Sequence, residues 1–157
     1  MEKLKIYSNI EFCQIGELDN NDRRLVELAM EATDNSYSPY SKFRVGAAVR
    51  LSDGKIIKGA NQENAAFSVT ICAERSAIFA AQANYPEQSV ISIAIAARNE
   101  KGYTEEPISP CGSCRQAMVE IEQKYSQPIR ILLYGKKGVY VMDSIRNLMP
   151  LSFVDLN

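Results

Sequence analysis

The sequence predicts an α/β protein that folds as a three-layer α/β/α sandwich around a mixed five-stranded sheet. After a first helical pattern, strand-like and helix-like segments follow in the order β-β-α-β-α-β-β. Two of the strand-like segments, Val90–Ala97 and Ile129–Tyr134, are almost continuously apolar, which is typical of strands that are buried on both faces. A sheet buried on both faces needs helices on its two sides, and the helical segments between the strands can supply them.

The chain is predicted to consist of an N-terminal extension, residues 1–18, and a single domain, residues 19–157. Apolar residues alternate only weakly in the extension, so we expect at most an edge strand there. A helix is predicted from Asp19 to Tyr37, because apolar residues recur at helical spacing between Leu25 and Ala32. Asp19 can accept a hydrogen bond from the first turn.

The predicted helices and strands after this point are bounded by turn residues. Asp53-Gly54 predicts a tight hairpin between the first two strands. An alanine-rich pattern predicts the second helix, and Pro110 is suited to the first turn of the third. The predicted ranges are strands at Val45–Ser52, Lys55–Ala60, Val90–Ala97, Ile129–Tyr134 and Val139–Asp143, and helices from about Cys72 to Asn84, from Pro110 to about Tyr125 and over Ser144–Leu148.

Composition excludes several classes of function. The chain has 157 residues, of which 46% are hydrophobic and 24% charged, and its net charge is -1. This balance argues against a protein that binds nucleic acid or an anionic membrane through a basic surface. The first residues do not resemble a signal peptide, no segment is long enough for a membrane span, and four cysteines suit a reducing compartment. We therefore expect a cytoplasmic protein.

Two cysteine motifs carry the chemistry: Cys72-Ala73-Glu74-Arg75 and Pro110-Cys111-Gly112-Ser113-Cys114-Arg115. The chain contains no histidine, so a zinc site must be built from thiolates. Three ligands leave a fourth position free for water, as in catalytic zinc sites, whereas structural sites have four protein ligands. Glu74 lies two residues after the first ligand and could handle the protons of that water.

The predicted ligands lie at the starts of two helices, where the helix dipole lowers thiol pKa values and favours anionic ligands. Three thiolates leave a Zn²⁺ site with a net negative charge. Arg75 or Arg115 could offset that charge by donating to a cysteine sulfur, and we favour Arg75 because it is directly beside Glu74.

Four other interpretations of the cysteines remain open. A redox Cys-x-x-Cys pair would leave Cys72 and Glu74 without a role. A structural zinc site would have to recruit Cys13, which has no partner at ligand spacing. A structural disulfide is disfavoured in a reducing compartment, and the thiols could also be small buried apolar groups.

The order Cys-Ala-Glu and then Pro-Cys-x-x-Cys resembles the signature of zinc-dependent nucleobase deaminases in its all-cysteine form. Other segments resemble the cytidine deaminases, in the order of that family and over about residues 36–155. These segments are Ser38-Pro39-Tyr40-Ser41-Lys42-Phe43-x-Val45-Gly46-Ala47-Ala48, Asn61-Gln62-Glu63-Asn64-Ala65-Ala66 and Leu148-Met149-Pro150-Leu151-Ser152-Phe153.

The resemblance implies a cytidine deaminase-like fold and the hydrolysis of cytidine or 2′-deoxycytidine to the uridine and ammonia. It implies that Phe43 lies against the pyrimidine ring, that Asn61 and Glu63 hold the ribose hydroxyls, that the backbone of Ala73 contacts the base, and that Glu74 shuttles protons. A carboxylate at position 63 would also repel a phosphate, which favours nucleosides over nucleotides.

The resemblance further implies one Zn²⁺ per subunit, held by Cys72, Cys111 and Cys114, and a homotetramer whose neighbouring subunits complete each site. The expected role is pyrimidine salvage. Position 67 is often tyrosine in the family, but it is Phe67 here, so no role of that hydroxyl is carried over.

Three other functions compete with the deamination of cytidine. A deaminase of a modified nucleoside or of an aminopyrimidine antibiotic would use the same chemistry on another substrate. An enzyme that deaminates bases within RNA or DNA would need a basic groove, which the composition does not favour. A non-catalytic zinc-binding module would bind the metal without releasing ammonia.

Overall fold

The computed structural model describes residues 1–155 and is a three-layer α/β/α sandwich, as the sequence predicts. The described strands are β1 (Glu11–Cys13), β2 (Arg44–Leu51), β3 (Ile56–Ala60), β4 (Val90–Asn99), β5 (Gly102–Tyr103), β6 (Arg130–Gly135) and β7 (Gly138–Met142). The described α-helices are α1 (Asn20–Ala32), α2 (Ala73–Asn84) and α3 (Gly112–Tyr125).

The sheet has seven strands within the described residues, so the predicted number of five is wrong. The strand order is β1-β7-β6-β4-β2-β3, and β5 pairs with β4 beside this path. β4 and β6 are parallel, and the other pairs are antiparallel. The two additional strands, β1 and β5, have three and two residues. Strands this short cannot show a two-residue alternation, and only their partners in the sheet define them.

The first helix ends earlier than the sequence predicts. Asp19 caps it by accepting a hydrogen bond from the backbone of Asp22 at 2.8 Å. The α-helix ends at Ala32 and is followed by a 3₁₀ turn at Thr33–Asn35. The hydroxyl of Thr33 donates to the carbonyl of Met30 at 2.7 Å, a local bond that competes with helix continuation. The predicted helix Ser144–Leu148 is likewise a 3₁₀ turn, Ile145–Asn147.

Each face of the sheet is covered by helices, and each face carries its own apolar core. α1 packs on one face, where its buried residues meet β4 and β7. α2 and α3 cover the other face. α2 packs closely on β3 at Gly59, where a Cβ would lie 2.4 Å from the backbone nitrogen of Ala77 in α2. This packing fixes the position of α2, and therefore of its first turn, relative to the sheet.

No helix among residues 1–155 has the length and apolar character that a membrane crossing requires.

Candidate active site

Three cysteine sulfurs meet where α2 and α3 begin. Cys72 and Cys111 are the N-cap residues of these two helices, and Cys114 lies in the first turn of α3. The Sγ atoms of Cys72 and Cys111 are 3.8 Å apart, those of Cys111 and Cys114 are 3.4 Å apart, and all three lie within 4.8 Å of one another. Sulfurs bound to one tetrahedral Zn²⁺ at about 2.3 Å would be about 3.8 Å apart. The donor set therefore fits zinc.

The three cysteines of the cluster differ in their exposure. Cys114 is buried, Cys72 is half-buried, and Cys111 is exposed. Cys13 lies in edge strand β1 and does not join the cluster. In the described part of the chain the sulfur group thus offers three protein ligands, which leaves a tetrahedral metal one position for a further ligand on the exposed side.

Hydrogen bonds among the three thiols favour the thiolate form of Cys72. A hydrogen bond from Cys114, together with those from Arg75 and Cys111, lowers the pKa of Cys72 to about 5. The pKa of the Cys114 thiol is raised by its hydrogen bond to Cys72 and by burial. A bound metal takes the place of the shared proton, because it is the thiolate that coordinates the ion.

Glu74 lies in the first turn of α2, beside the sulfurs, and only 4% of its surface is exposed. Burial raises the pKa of its carboxyl, and the negative charge of Cys72 raises it further. A raised pKa strengthens a carboxylate as a proton acceptor, which suits a group that takes up and returns a proton. The preceding residue, Ala73, is the first residue of the helix, so its backbone N–H has no partner within the helix.

The two arginines beside the motifs have different surroundings. Arg75 donates through Nη2 to the sulfur of Cys72, at 3.9 Å. Arg115 instead donates through Nε to the carbonyl of Pro110 at 2.9 Å and through Nη1 to that of Leu148 at 2.8 Å. Arg75 therefore places its positive charge against the thiolates, while Arg115 joins the loop before α3 to the C-terminal segment.

A short backbone ladder pairs residues 61–63 with the segment that leads into Cys72. Gln62 and Ile71 exchange two backbone hydrogen bonds of 3.0 Å each. Ile71 precedes Cys72 in the chain, so this bridge pairs Gln62, which Asn61 and Glu63 flank, with the segment that leads into Cys72. Tyr37 extends the ladder on the other side, where its backbone nitrogen donates to the carbonyl of Asn61 at 3.0 Å.

The Asn61 side chain holds the start of β2. Its Oδ1 accepts from the backbone nitrogen of Val45 at 2.8 Å and from the hydroxyl of Ser36. Its Nδ2 donates to the carbonyl of Phe43 at 2.9 Å. The amide therefore fixes Phe43, which is half-buried, relative to the ladder.

The carboxylate of Glu63 accepts hydrogen bonds from the turn before Phe43. Its Oε2 accepts from the backbone nitrogens of Tyr40 at 2.9 Å and Ser41 at 3.3 Å, and its Oε1 accepts from the Ser41 hydroxyl. These bonds, with that of the hydroxyl first, lower the pKa of Glu63. Sequence reasoning assigned no role to Ser36 or Ser41. In the sequence, Ser41 is only one residue of a segment that resembles the family. No local pattern indicates its contact with Glu63, because the two residues are 22 positions apart.

Phe67 is 78% exposed and lies on the loop that joins the paired residues Gln62 and Ile71 of the ladder. Its ring meets the exposed ring of Tyr40 edge to face, with 6.3 Å between the centroids. Val69 on the same loop is also largely exposed. An apolar surface thus borders the candidate site.

Comparisons with known proteins give a consistent result. A family model described as the cytidine and deoxycytidylate deaminase zinc-binding region matches residues 19–126. The chain is 38% identical over 130 residues to a cytidine deaminase of Sporosarcina psychrophila, covering 83% of this chain and 89% of that protein. A cytidine deaminase of Halalkalibacterium halodurans is 44% identical over 97 residues, 62% of this chain and 69% of the relative.

One relative bears a different name. The blasticidin-S deaminase of Bacillus cereus is 31% identical over 138 residues, which is 87% of this chain and 94% of that protein. Among solved structures, the cytidine deaminase from Burkholderia pseudomallei is similar with a TM-score of 0.70 and 37% identity, and the match covers 83% of this chain and 97% of that one. The likeness thus extends to the whole domain that surrounds the sulfur cluster.

Proposed function

This chain belongs to the family of cytidine and deoxycytidylate deaminases and is a zinc-dependent hydrolytic deaminase, and we propose that its substrates are cytidine and 2′-deoxycytidine. The products would be uridine or 2′-deoxyuridine and ammonia. One observation carries the proposal: three sulfurs suited to zinc converge beside a buried carboxyl, Glu74, at the starts of two helices.

Glu74 is the proposed proton shuttle. Bound zinc would supply the Lewis acidity that makes water nucleophilic near neutral pH. Glu74 takes a proton from the attacking water and delivers it to the ring nitrogen next to the amine-bearing carbon. It then takes the second proton from the hydroxyl that has added to this carbon and delivers it to the amine, so that the carbon–nitrogen bond breaks, ammonia leaves and the carbonyl forms. One carboxylate serves both steps, because it is regenerated between them. Its burial supports the role, since a buried carboxyl has the raised pKa that this exchange requires.

The other end of the site is proposed to bind the nucleoside. Phe43 would lie against the pyrimidine ring, the backbone of Ala73 would contact the base, and Asn61 and Glu63 would hold the ribose hydroxyls. The ladder that joins residues 61–63 to Ile71 supports this arrangement, because it pairs the proposed sugar-binding segment with the segment that leads into Cys72. Arg75 is proposed to balance the three thiolates, and its contact with Cys72 supports that role.

We also propose a homotetramer in which neighbouring subunits complete each site. The exposed apolar surface of Tyr40, Phe67 and Val69 beside the site supports such a contact. A cytoplasmic role in pyrimidine salvage is part of the same proposal, as is a catalytic domain at residues 19–157 after an extension at 1–18. The family match, which begins at residue 19, supports this division.

A substrate panel tests the proposal. Ammonia release is measured with cytidine, 2′-deoxycytidine, CMP, cytosine and a short RNA, and the zinc content of the same preparation is determined. We expect turnover of the two nucleosides with about one zinc per subunit. Zinc without ammonia from any nucleoside would indicate a binding module, and equal activity on CMP would contradict the proposed role of Glu63.

A second candidate is an aminopyrimidine antibiotic, because the blasticidin-S deaminase of Bacillus cereus matches 87% of this chain. Blasticidin S is therefore added to the panel. A kcat/KM for the antibiotic above that for cytidine would favour this second substrate, and the reverse order would favour the nucleoside.

A further inference from the structure

The hydroxyl of Ser41 links Glu63 to the backbone of Phe43, the two residues proposed to contact the sugar and the base. The Ser41 Oγ donates to Oε1 of Glu63 and accepts from the backbone nitrogen of Phe43 at 3.1 Å. The carbonyl of the same Phe43 accepts from Asn61 at 2.9 Å. The backbone of Phe43 is therefore held at its N–H by Ser41 and at its carbonyl by Asn61.

The turn that carries Ser41 has an uncommon backbone conformation, which hydrogen bonds to Glu63 stabilise. The next residue, Lys42, has a φ of 57°, a left-handed conformation that is uncommon for residues other than glycine. The turn closes when the Lys42 backbone nitrogen donates to the carbonyl of Ser38 at 3.1 Å. A strained backbone of this kind persists only where the surrounding contacts define it. Here Glu63 supplies them, by accepting from the backbone of Tyr40 and from both the backbone and the hydroxyl of Ser41.

We propose that Ser41 is a positioning residue for the nucleoside: its hydroxyl aligns the Glu63 carboxylate with the ring of Phe43. This inference rests on the proposed function, since it assumes that Phe43 and Glu63 contact the base and the sugar. A carboxylate has about four acceptor positions. Three are taken by the turn in this structure, so Ser41 and its neighbours leave Glu63 one defined direction in which to accept a substrate hydroxyl.

The test compares Ser41→Ala, Ser41→Thr and Ser52→Ala with the wild type. Ser52 is the control, because its hydroxyl also donates one exposed side-chain hydrogen bond, to Gln88, but it follows the opposite end of β2 from Phe43. We expect Ser41→Ala to raise the KM for cytidine about tenfold with little change in kcat or zinc content, as for the loss of a hydrogen bond to a charged group. Ser41→Thr should restore KM, and Ser52→Ala should leave it unchanged.

A pH profile distinguishes positioning from a general effect on folding. The Ser41 hydroxyl is the main cause of the lowered pKa of Glu63, and Lys42, which also lowers it, remains in the variant. The pKa of Glu63 should therefore rise in Ser41→Ala, so the increase in KM on the acid side should begin at a higher pH than in the wild type. The titration of cytidine itself is common to both proteins and cancels in this comparison.

The possible results separate this inference from the proposed function. If the wild type deaminates cytidine but Ser41→Ala keeps its KM, or if KM rises without a shift of the acid limb, Ser41 does not position Glu63. Failure of Ser41→Thr to restore KM has the same meaning. A wild type that releases no ammonia from cytidine refutes the proposed function, and the role of Ser41 with it.

Discussion

The two ends of the candidate site are built in different ways. The metal end consists of residues at the starts of α2 and α3, packed against the sheet, with Cys114 and Glu74 buried. The proposed nucleoside end consists of a loop and a turn that are held by side-chain hydrogen bonds, chiefly those of Asn61 and Glu63. The geometry of the first follows from helix packing, and that of the second depends on individual polar contacts.

This difference matches the two tasks proposed for the site. A proton shuttle must stay within hydrogen-bonding distance of the reacting atoms, and a rigid helix start supplies that precision. Recognition of a sugar needs polar groups at the surface end of a cleft, which loops can provide. Substitutions at the metal end should therefore change zinc content or kcat, and substitutions at the nucleoside end should change KM.

The largest effect is expected from removal of a buried ligand. Cys114→Ala should abolish zinc binding and activity together, because two thiolates cannot complete a tetrahedral site. Zinc content by atomic absorption and ammonia release measure both effects. Cys13→Ala is the matched control, since Cys13 lies in β1, outside the sulfur cluster, and it should keep both properties. Loss of zinc in the control would show that the metal site depends on the extension.

Glu74→Gln should keep zinc but lower kcat by about 10²–10⁴-fold, because the amide cannot accept and return the proton. The substitution preserves the volume of a side chain that is 4% exposed, so folding should be little affected. Steady-state kinetics and zinc content are measured on the same sample. A kcat within a factor of about three of the wild type would remove Glu74 from the mechanism.

Arg75→Gln tests whether the positive charge beside the cysteine ligands increases the affinity for zinc. The variant loses the donor that lies 3.9 Å from the sulfur of Cys72. We expect zinc affinity to fall about 10–100-fold, as for other groups that contact a metal ligand. Competition with a chelator measures the affinity. Arg115→Gln is the comparison, because Arg115 donates to backbone carbonyls and its loss should change thermal stability more than zinc affinity.

The smallest effect is expected at the nucleoside end. Asn61→Asp keeps an oxygen for the backbone of Val45 but replaces the donor to the carbonyl of Phe43 with an acceptor. The unsatisfied carbonyl should raise KM for cytidine about tenfold and destabilise the fold by about 1–3 kcal/mol, with zinc retained. Kinetics and thermal unfolding test this. A loss of zinc in Asn61→Asp would contradict the separation of the two ends.

Much of this architecture was predictable from local patterns. The long strands and the helices that follow Cys72 and Pro110 were predicted nearly within their observed bounds, because each has a full period of apolar residues. The sequence indicated only a possible edge strand in the extension that holds β1, and it gave no sign of β5, because both strands are too short to show a period. It also failed for the end of α1, where the Thr33 hydroxyl binds a helix carbonyl. Such features depend on partners that are distant in sequence or on one side-chain bond.

The sequence by itself determined the chemistry of the site: three thiols and one carboxyl, with no histidine, at the spacing of two helix starts. That information is local, because each of the two motifs lies within one short segment of the chain. Only the tertiary structure brought Cys72 to within 3.8 Å of Cys111, and only it showed that Ser41 contacts Glu63 and Phe43. The physical reason is that packing of α2 and α3 on one sheet, and hydrogen bonds across 22 positions, have no periodic signature in the chain.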